Sequence, residues 1–379
     1  MPIVKFGDVV KRANTKEDRF TTEKLYYVGG EHMETGEYLI RKKGLIAGSN
    51  IGPMFYCGFV KGQVLLASRS PDLKKAGMVT FDGLCSEKTF VIETKDENVL
   101  LQSFLPAIVR SEAFWKYAND NQSGSVNHFI NWSTFANYEF FLPPVEQQRT
   151  AANLLWAMER VKAAYKDLIS KTDALVKSQF IEMFGDVDNT AYEVATIGEM
   201  CKLKSGTTFP ADQELEAGDY LYAKVSDMNL PGNEVYMRFS KAHVSASTAG
   251  STPIPAGAVI FPKRGGAIGT NKKRILEKDT CVDLNTMGVI PGERLLTEYL
   301  YQFFINTDLM SLADGSTIPQ LNNRQIAPVR IIVPPFDKQE AFRDIFQQSD
   351  KSKFEAKQAL DSLTAAQKAL MRQYLKQEQ

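Results

Sequence analysis

Leu142-Pro143-Pro144-Val145-Glu146-Gln147-Gln148 returns 191 residues later as Val333-Pro334-Pro335-Phe336-Asp337-Lys338-Gln339. Working outward, the same offset holds without a gap from Gly124-Ser125 against Gly315-Ser316, through Asn131 and Asn322, to Phe184 against Leu375. A gapless match of this length marks an internal repeat. Upstream the correspondence is looser: Gly7 matches Gly198 at 191, whereas Tyr27, Met33, Gly62, Val64 and Arg69 match Tyr222, Met228, Gly257, Val259 and Arg264 at 195. Small insertions near residues 207–210 and 117–122 account for the change, at positions where surface loops accept them. The chain reads as a tandem duplication, each copy a globular unit followed by a helical one.

The helical units follow from periodicity. Pro143-Pro144 stops a strand and suits a helix entrance. Beyond it Leu154, Met158, Val161, Tyr165, Leu168, Leu175 and Met183 fall at alternating steps of four and three, a heptad seam. The second copy places Ile345, Ala356, Ala359, Leu363, Ala366, Leu370 and Tyr374 at the same phase. At ~1.5 Å per residue each helix makes a rod of roughly 60 Å. Two rods with one apolar stripe each are expected to bury those stripes on each other. Isologous packing of the repeats would make the rods antiparallel, related by a pseudo-twofold axis, with the globular domains inverted at opposite ends.

The expected fold class is therefore α+β: two similar mixed α/β domains separated by two long helices that form an antiparallel intramolecular coiled coil. The expected boundaries are 1–142 and 186–333 for the globular domains, and 143–185 and 334–379 for the helical spacers. Short β-rich runs support the globular assignment, such as Gln63-Val64-Leu65-Leu66-Ala67, Thr89-Phe90-Val91-Ile92, Ala258-Val259-Ile260-Phe261 and Val329-Arg330-Ile331-Ile332-Val333. Helical patterns appear at 99–117 and 293–313.

Length and composition narrow the function classes. A chain of 379 residues with 44% apolar and 24% charged side chains fits two or more soluble domains. It has neither an apolar run of membrane length nor a secretory h-region in its first ten residues, so a soluble cytoplasmic protein is expected. Cys57, Cys85, Cys201 and Cys281 are far apart, as are His32, His128 and His243, so reduced thiols are expected and no metal site. The 45 basic residues balance 45 acidic ones, which by itself argues against a stand-alone nucleic-acid binder.

Catalytic motifs are missing. Lys263-Arg264-Gly265-Gly266-Ala267-Ile268-Gly269-Thr270 has glycines without the order of a phosphate loop. No Asn-Pro-Pro-aromatic or Asp-Pro-Pro-aromatic set exists to hold an amino group for methyl transfer, and Leu142-Pro143-Pro144-Val145 is apolar where the polar residue must sit. G-x-S-x-G and H-E-x-x-H are absent. The chain is expected to catalyse nothing alone. What remains are basic clusters in loop-like contexts: Arg41-Lys42-Lys43, Ser68-Arg69 with Lys74-Lys75, and Lys263-Arg264 with Lys272-Lys273-Arg274. Such residues neutralise phosphates, and arginine also pairs bidentately with guanine. Arg69 and Arg264 stand out because they occupy matched positions of the two copies.

These residues resemble the specificity subunits of type I restriction-modification systems. The resemblance is carried by Gly315-Ser316-Thr317-Ile318-Pro319-Gln320-Leu321-Asn322 leading into Ile332-Val333-Pro334-Pro335, and by Leu142-Pro143-Pro144-Val145-Glu146-Gln147-Gln148-Arg149 leading through the heptads to Ser178-Gln179-Phe180-Ile181-Glu182-Met183-Phe184-Gly185-Asp186. The first-half stretch Gly124-Ser125-Val126-Asn127-His128-Phe129-Ile130-Asn131 departs from the family pattern. The resemblance implies two target-recognition domains, each reading half of a bipartite double-stranded DNA sequence, with the helices fixing the spacer and docking two methyltransferase subunits. Restriction-translocase subunits are a further implied partner. S-adenosylmethionine, ATP and Mg then belong to the partners, and this chain holds no cofactor. The competing expectation is a non-catalytic tandem-repeat scaffold for protein-protein assembly.

Overall fold

Where the sequence alternates β-branched and aromatic residues between Gly and Pro, strands form; where it runs forty residues without either breaker, it stays helical. The computed structural model describes residues 2–13, 15–125 and 127–375; Val126 and residues 376–379 of the second spacer lie outside the described residues. The two long helices span Val145–Phe184 and Phe336–Leu375, both directly after a Pro-Pro pair. The chain divides into two compact units, Met1–Asp167 with Lys357–Gln379, and Leu168–Ala356. The division therefore cuts both helices near their middles instead of at the expected spacer boundaries. The reason is packing: the end of each helix is built into a globular core.

In the first unit a five-stranded sheet contains Val10–Arg12, Thr89–Thr94, Val64–Ala67, Ala76–Val79 and Leu39–Ile40, in that order. A second five-stranded sheet includes Phe55–Phe59 and Gly83–Ser86, and Ile3–Lys5 pairs antiparallel with Glu139–Phe141. The expected helix at 99–117 is split into Leu105–Val109 and Glu112–Asp120, because Ser111 caps the second by accepting from the Phe114 N–H. One buried cluster joins Phe6, Phe104, Phe114, Trp115 and Phe135 to Ala151, Ala152 and Leu155 of the first long helix and Met371 and Leu375 of the second.

The second unit repeats this plan. Its five-stranded sheet runs Cys201–Ser205, Thr286–Pro291, Val259–Pro262, Arg274–Leu276, Tyr236–Met237, beside a three-stranded sheet and the pair Glu193–Thr196 with Arg330–Val333. The helical pattern at 293–313 becomes Thr297–Asn306 followed by a short turn of helix at Met310–Leu312. Phe180, Phe184, Phe342 and Phe346 bring parts of both long helices into its core.

Matching hydrogen bonds establish the duplication at atomic level. The Phe6 N–H donates to Tyr138 O and the Ile197 N–H to Val329 O, both ends displaced by 191. Gln148, fully buried, accepts the Leu101 N–H and donates to Val99 O and Pro143 O. Gln339, also fully buried, accepts the Leu296 N–H and donates to Arg294 O and Pro334 O. Each glutamine thus ties the start of a long helix to its own globular domain.

Within each unit the helix segments pair antiparallel. In the first, Gln367 contacts Glu159 and Lys162, while Met371 and Leu375 reach the cluster that holds Ala151 and Leu155. In the second, Asp173 meets Lys353 at 2.8 Å and Phe184 meets Phe342.

The expected seam is corrected by this packing. Leu154, Val161, Leu168 and Leu175 are 41 to 53% exposed, and Met158, Tyr165, Ile345, Leu363 and Leu370 are only half-buried. The buried positions of the first helix are Gln148, Ala151, Ala152, Leu155, Glu159, Lys162, Val176, Phe180 and Phe184. Leu154 and Val161 each stand one residue, about 100° of helix, from the buried Leu155 and Lys162. Apolarity misled the phase because the centre of the true seam is polar, whereas the most apolar stripe faces solvent.

Candidate nucleic-acid interface

Two exposed arginines stand at the same place in the repeated architecture. Val64–Ala67 and Val259–Pro262 are the middle strands of the two equivalent sheets, and Arg69 and Arg264 follow two residues after each strand. Ser68 O accepts the Ile130 N–H, and Lys263 O accepts the Leu321 N–H. Arg69 forms an isolated bridge with Phe129, and Arg264 with Gln320. Phe129 and Gln320 are 191 apart, so the loop after the strand meets the same following segment in both copies. Neither arginine side chain has an ion-pair partner within 4 Å among the described residues; Glu87 lies near enough to Arg69 to feel its charge, and both guanidinium groups stay exposed to an outside acceptor.

The Gly315–Asn322 segment is fixed beside Arg264 by its own hydrogen bonds. Asp314 accepts from the Ser316 and Gln320 backbone N–H groups and from the Ser316 hydroxyl, contacts that hold its carboxyl below the usual carboxylate range. Gly315 has φ +71°, a left-handed conformation that glycine adopts without strain. Ile318 is exposed at the tip of the loop.

The other predicted basic residues divide by what they already touch. Arg41 lies 3.2 Å from Glu37 and 3.8 Å from Glu159. Lys42 pairs with Glu34 at 2.6 Å, and Lys74 with Glu112 at 2.5 Å. Lys75 donates to Gly30 O. Lys43 rests over the Tyr26 ring, 3.6 Å from its centroid, and near Phe81. Lys263 donates to the Ser205 hydroxyl, and burial, with Arg264 alongside, lowers its pKa. Lys272 donates to Asn229.

Three members of the set are structural and not surface contacts. Ser68 is buried and donates its hydroxyl to Lys88 O. Lys273 is 1% exposed, donates to Thr307 O at 2.9 Å, and is pushed down to about 8 by desolvation. Arg274 is half-buried on Lys273 O and Met228 O, and burial lowers its pKa also. In the sequence these three look like any loop cation or hydroxyl; the bond to Lys88 O turns Ser68 inward, and the start of the strand Arg274–Leu276 does so for Lys273 and Arg274. The sequence reading also missed Phe129 and Gln320 as the neighbours of the twin arginines. Their shared 191 offset was the signal that could have found them.

Residues 189–364 match the type I restriction modification DNA specificity domain family. Two solved structures share the fold along nearly all of both chains. One belongs to a structural description of complex assembly and conformational transition of the type I R-M system: 18% identity, TM-score 0.57, 99% of this chain and 97% of that one covered. The other is the type I restriction-modification S subunit of M. genitalium: 15% identity, TM-score 0.59, 100% and 96% covered.

Proposed function

We propose that this chain, whose residues 189–364 match the type I restriction modification DNA specificity family and whose fold is similar to that of an S subunit, reads a bipartite DNA target with its two units. The observation that carries the reading is the twin placement of Arg69 and Arg264, exposed, unpaired among the described residues, and bridged to equivalent segments. Each arginine reaches base edges of one half-site, while Lys263, adjacent to Arg264 in sequence, the exposed Lys42 and the partly exposed Lys272 contribute phosphate contacts. The paired helices set the unread spacer, as spacing between readers does in dimeric DNA-binding proteins.

The exposed apolar residues of the first helix have a role here. Leu154, Val161, Leu168 and Leu175 repeat every seven residues and do not form the intramolecular seam. Such a stripe suits knobs-into-holes docking of partner helices, and we assign it to two methyltransferase subunits. Restriction-translocase subunits would join the same assembly. The chain itself catalyses nothing; S-adenosylmethionine, ATP and Mg are carried by the partners, and the complex works in the cytoplasm. A formal charge of zero fits this division, because the partners then supply much of the phosphate-binding surface.

The test is methylation of duplexes by the complex reconstituted with its methyltransferase. Arg69→Ala should weaken or relax selection at one half-site and Arg264→Ala at the other. Equal losses at both halves for either variant would refute the assignment, as would nanomolar DNA binding by the isolated chain at physiological salt refute the shared-surface explanation of its charge.

A further inference from the structure

A set of charged residues recurs with its signs intact where each recognition domain meets the long helices. In the first unit Glu37 and Arg41 flank the short strand Leu39–Ile40, which runs parallel to Met78–Val79. In the second, Glu234 and Arg238 flank Tyr236–Met237, parallel to Ile275–Leu276 in the same register, 197 residues on. On the helices Glu159 and Lys162 correspond to Asp350 and Lys353 at the 191 offset. An acid-to-arginine step of four on the domain thus faces an acid-to-lysine step of three on the helix, twice.

The first copy shows the connections. Glu159, Lys162 and Gln367 are at most 4% exposed and close a triangle: Lys162 donates to Glu159 at 2.8 Å and to Gln367 at 3.1 Å, and Gln367 donates to Glu159 at 3.0 Å. The second oxygen of Glu159 accepts no hydrogen bond and faces the Arg41 guanidinium at 3.8 Å. Glu37 takes Arg41 at 3.2 Å and Lys166 at 2.6 Å. Burial opposes the charge of Glu37, but Lys166, Lys162 and Arg41 outweigh it and hold its carboxyl below the ordinary range.

The second copy uses the same groups with different partners. Lys353 pairs with Asp173 at 2.8 Å, and Arg238 is held by Glu277 at 2.9 Å. Burial raises the Asp350 pKa; Lys353 and Arg238 pull it down, while Asp173 and Glu234 push it up. In this copy the direct ion pairs therefore run between the two helices and within the domain, and the pull of Arg238 on Asp350 is what links domain to helix.

Loops of the two domains have diverged in length and strand content, so four charges kept in register through that divergence point to a shared task. Apolar contacts at the helix ends hold the domain on, but they are non-directional and tolerate rotation. Charged contacts at the middle of the segment specify orientation. We infer that this latch, Glu37, Arg41 and Lys166 acting on the Glu159–Lys162–Gln367 triangle, with its counterpart in the second unit, consists of positioning residues that set the angle of each recognition domain on its helices and so restrict the spacer length the complex accepts.

The inference rests on the DNA-specificity reading above, and the experiment separates the two. The assembled complex is given duplexes with both half-sites and spacers lengthened or shortened by one or two base pairs. Glu37→Lys and Lys166→Glu each place like charges together, and each should cut the preference for the native spacer about tenfold, the factor equivalent to ~1.4 kcal/mol. Half-site sequence selection stays the same. The double variant restores the 37–166 ion pair with reversed polarity but leaves the new ammonium beside Arg41, so it should recover part of the preference. Singles with the native spacer profile, or a double as permissive as the singles, overturn the latch. A wild-type complex that modifies no bipartite DNA overturns the DNA reading instead. Hydrogen exchange in the 37–41 segment then decides the latch: faster exchange in both singles with recovery in the double supports it, and unchanged exchange refutes it.

Discussion

Replacing Gln148 by alanine removes three hydrogen bonds at one fully buried side chain: one accepted from the Leu101 N–H at 2.9 Å, and two donated to Val99 O at 2.9 Å and Pro143 O at 2.8 Å. At ~1 kcal/mol of net contribution each, the loss is about 3 kcal/mol, and more where the abandoned backbone groups stay dry. For a unit of this size that is a fall in Tm of roughly 6–12 °C. Gln148→Glu separates the hydrogen-bond argument from simple loss of volume. It keeps the acceptor but offers no donor to the two carbonyl oxygens, and it buries a charge against them, so it should be more destabilising than alanine. Calorimetry combined with hydrogen exchange reads both effects. Exchange should rise at 99–101 and 143–148 in the Gln148 variants, and at 294–296 and 334–339 in Gln339→Ala. A Tm within about 2 °C of wild type for Gln148→Ala, or Gln148→Glu above Gln148→Ala, would refute the idea that these glutamines tie domain to helix.

Three further outcomes follow from the same geometry. Glu159→Ala leaves Lys162 buried without its carboxylate and should cost about 3–5 kcal/mol, whereas the triple change to leucine at 159, 162 and 367 should be neutral or stabilising in urea denaturation, and the reverse order would show that the triangle is not a buried ion pair. Lys273→Met should alter the pH dependence of stability: its folded pKa of about 8 lies below the unfolded value, so wild-type stability rises between about pH 8 and 10.5 as the buried ammonium is relieved, and a variant retaining that rise would refute the assignment. Leu154→Lys with Val161→Lys touches only exposed positions and should leave Tm nearly unchanged while weakening assembly with the methyltransferase in size-exclusion chromatography; intact assembly would move the docking surface elsewhere.

The Pro-Pro repeat and its 191-residue offset were sufficient to expose the duplication, because gapless similarity needs no knowledge of packing. The starts of both helices were legible too, since each Pro-Pro pair opens a long run free of Gly and Pro: they begin at Val145 and Phe336, and Gly185 follows the first helix directly. The phase of their burial was not. A hydrophobic stripe shows that a face is covered by something, and in the first helix the stripe is left exposed while Glu159, Lys162 and Gln367 occupy the seam. Charge runs were ambiguous for a similar reason. Lys272-Lys273-Arg274 is contiguous in sequence, but the strand beginning at Arg274 directs Lys273 to Thr307 O and Arg274 to Met228 O.

Sequence alone determined that the chain is two copies of one plan, where the two long helices begin, and which arginines are equivalent, since these depend on local patterns and on comparison of the chain with itself. Tertiary structure decided which side of each helix is covered, which cations are committed to internal acceptors, and that each compact unit takes in parts of both long helices. Those outcomes depend on neighbours distant along the chain, and a side chain's solvation, not its identity, sets what its charge can do.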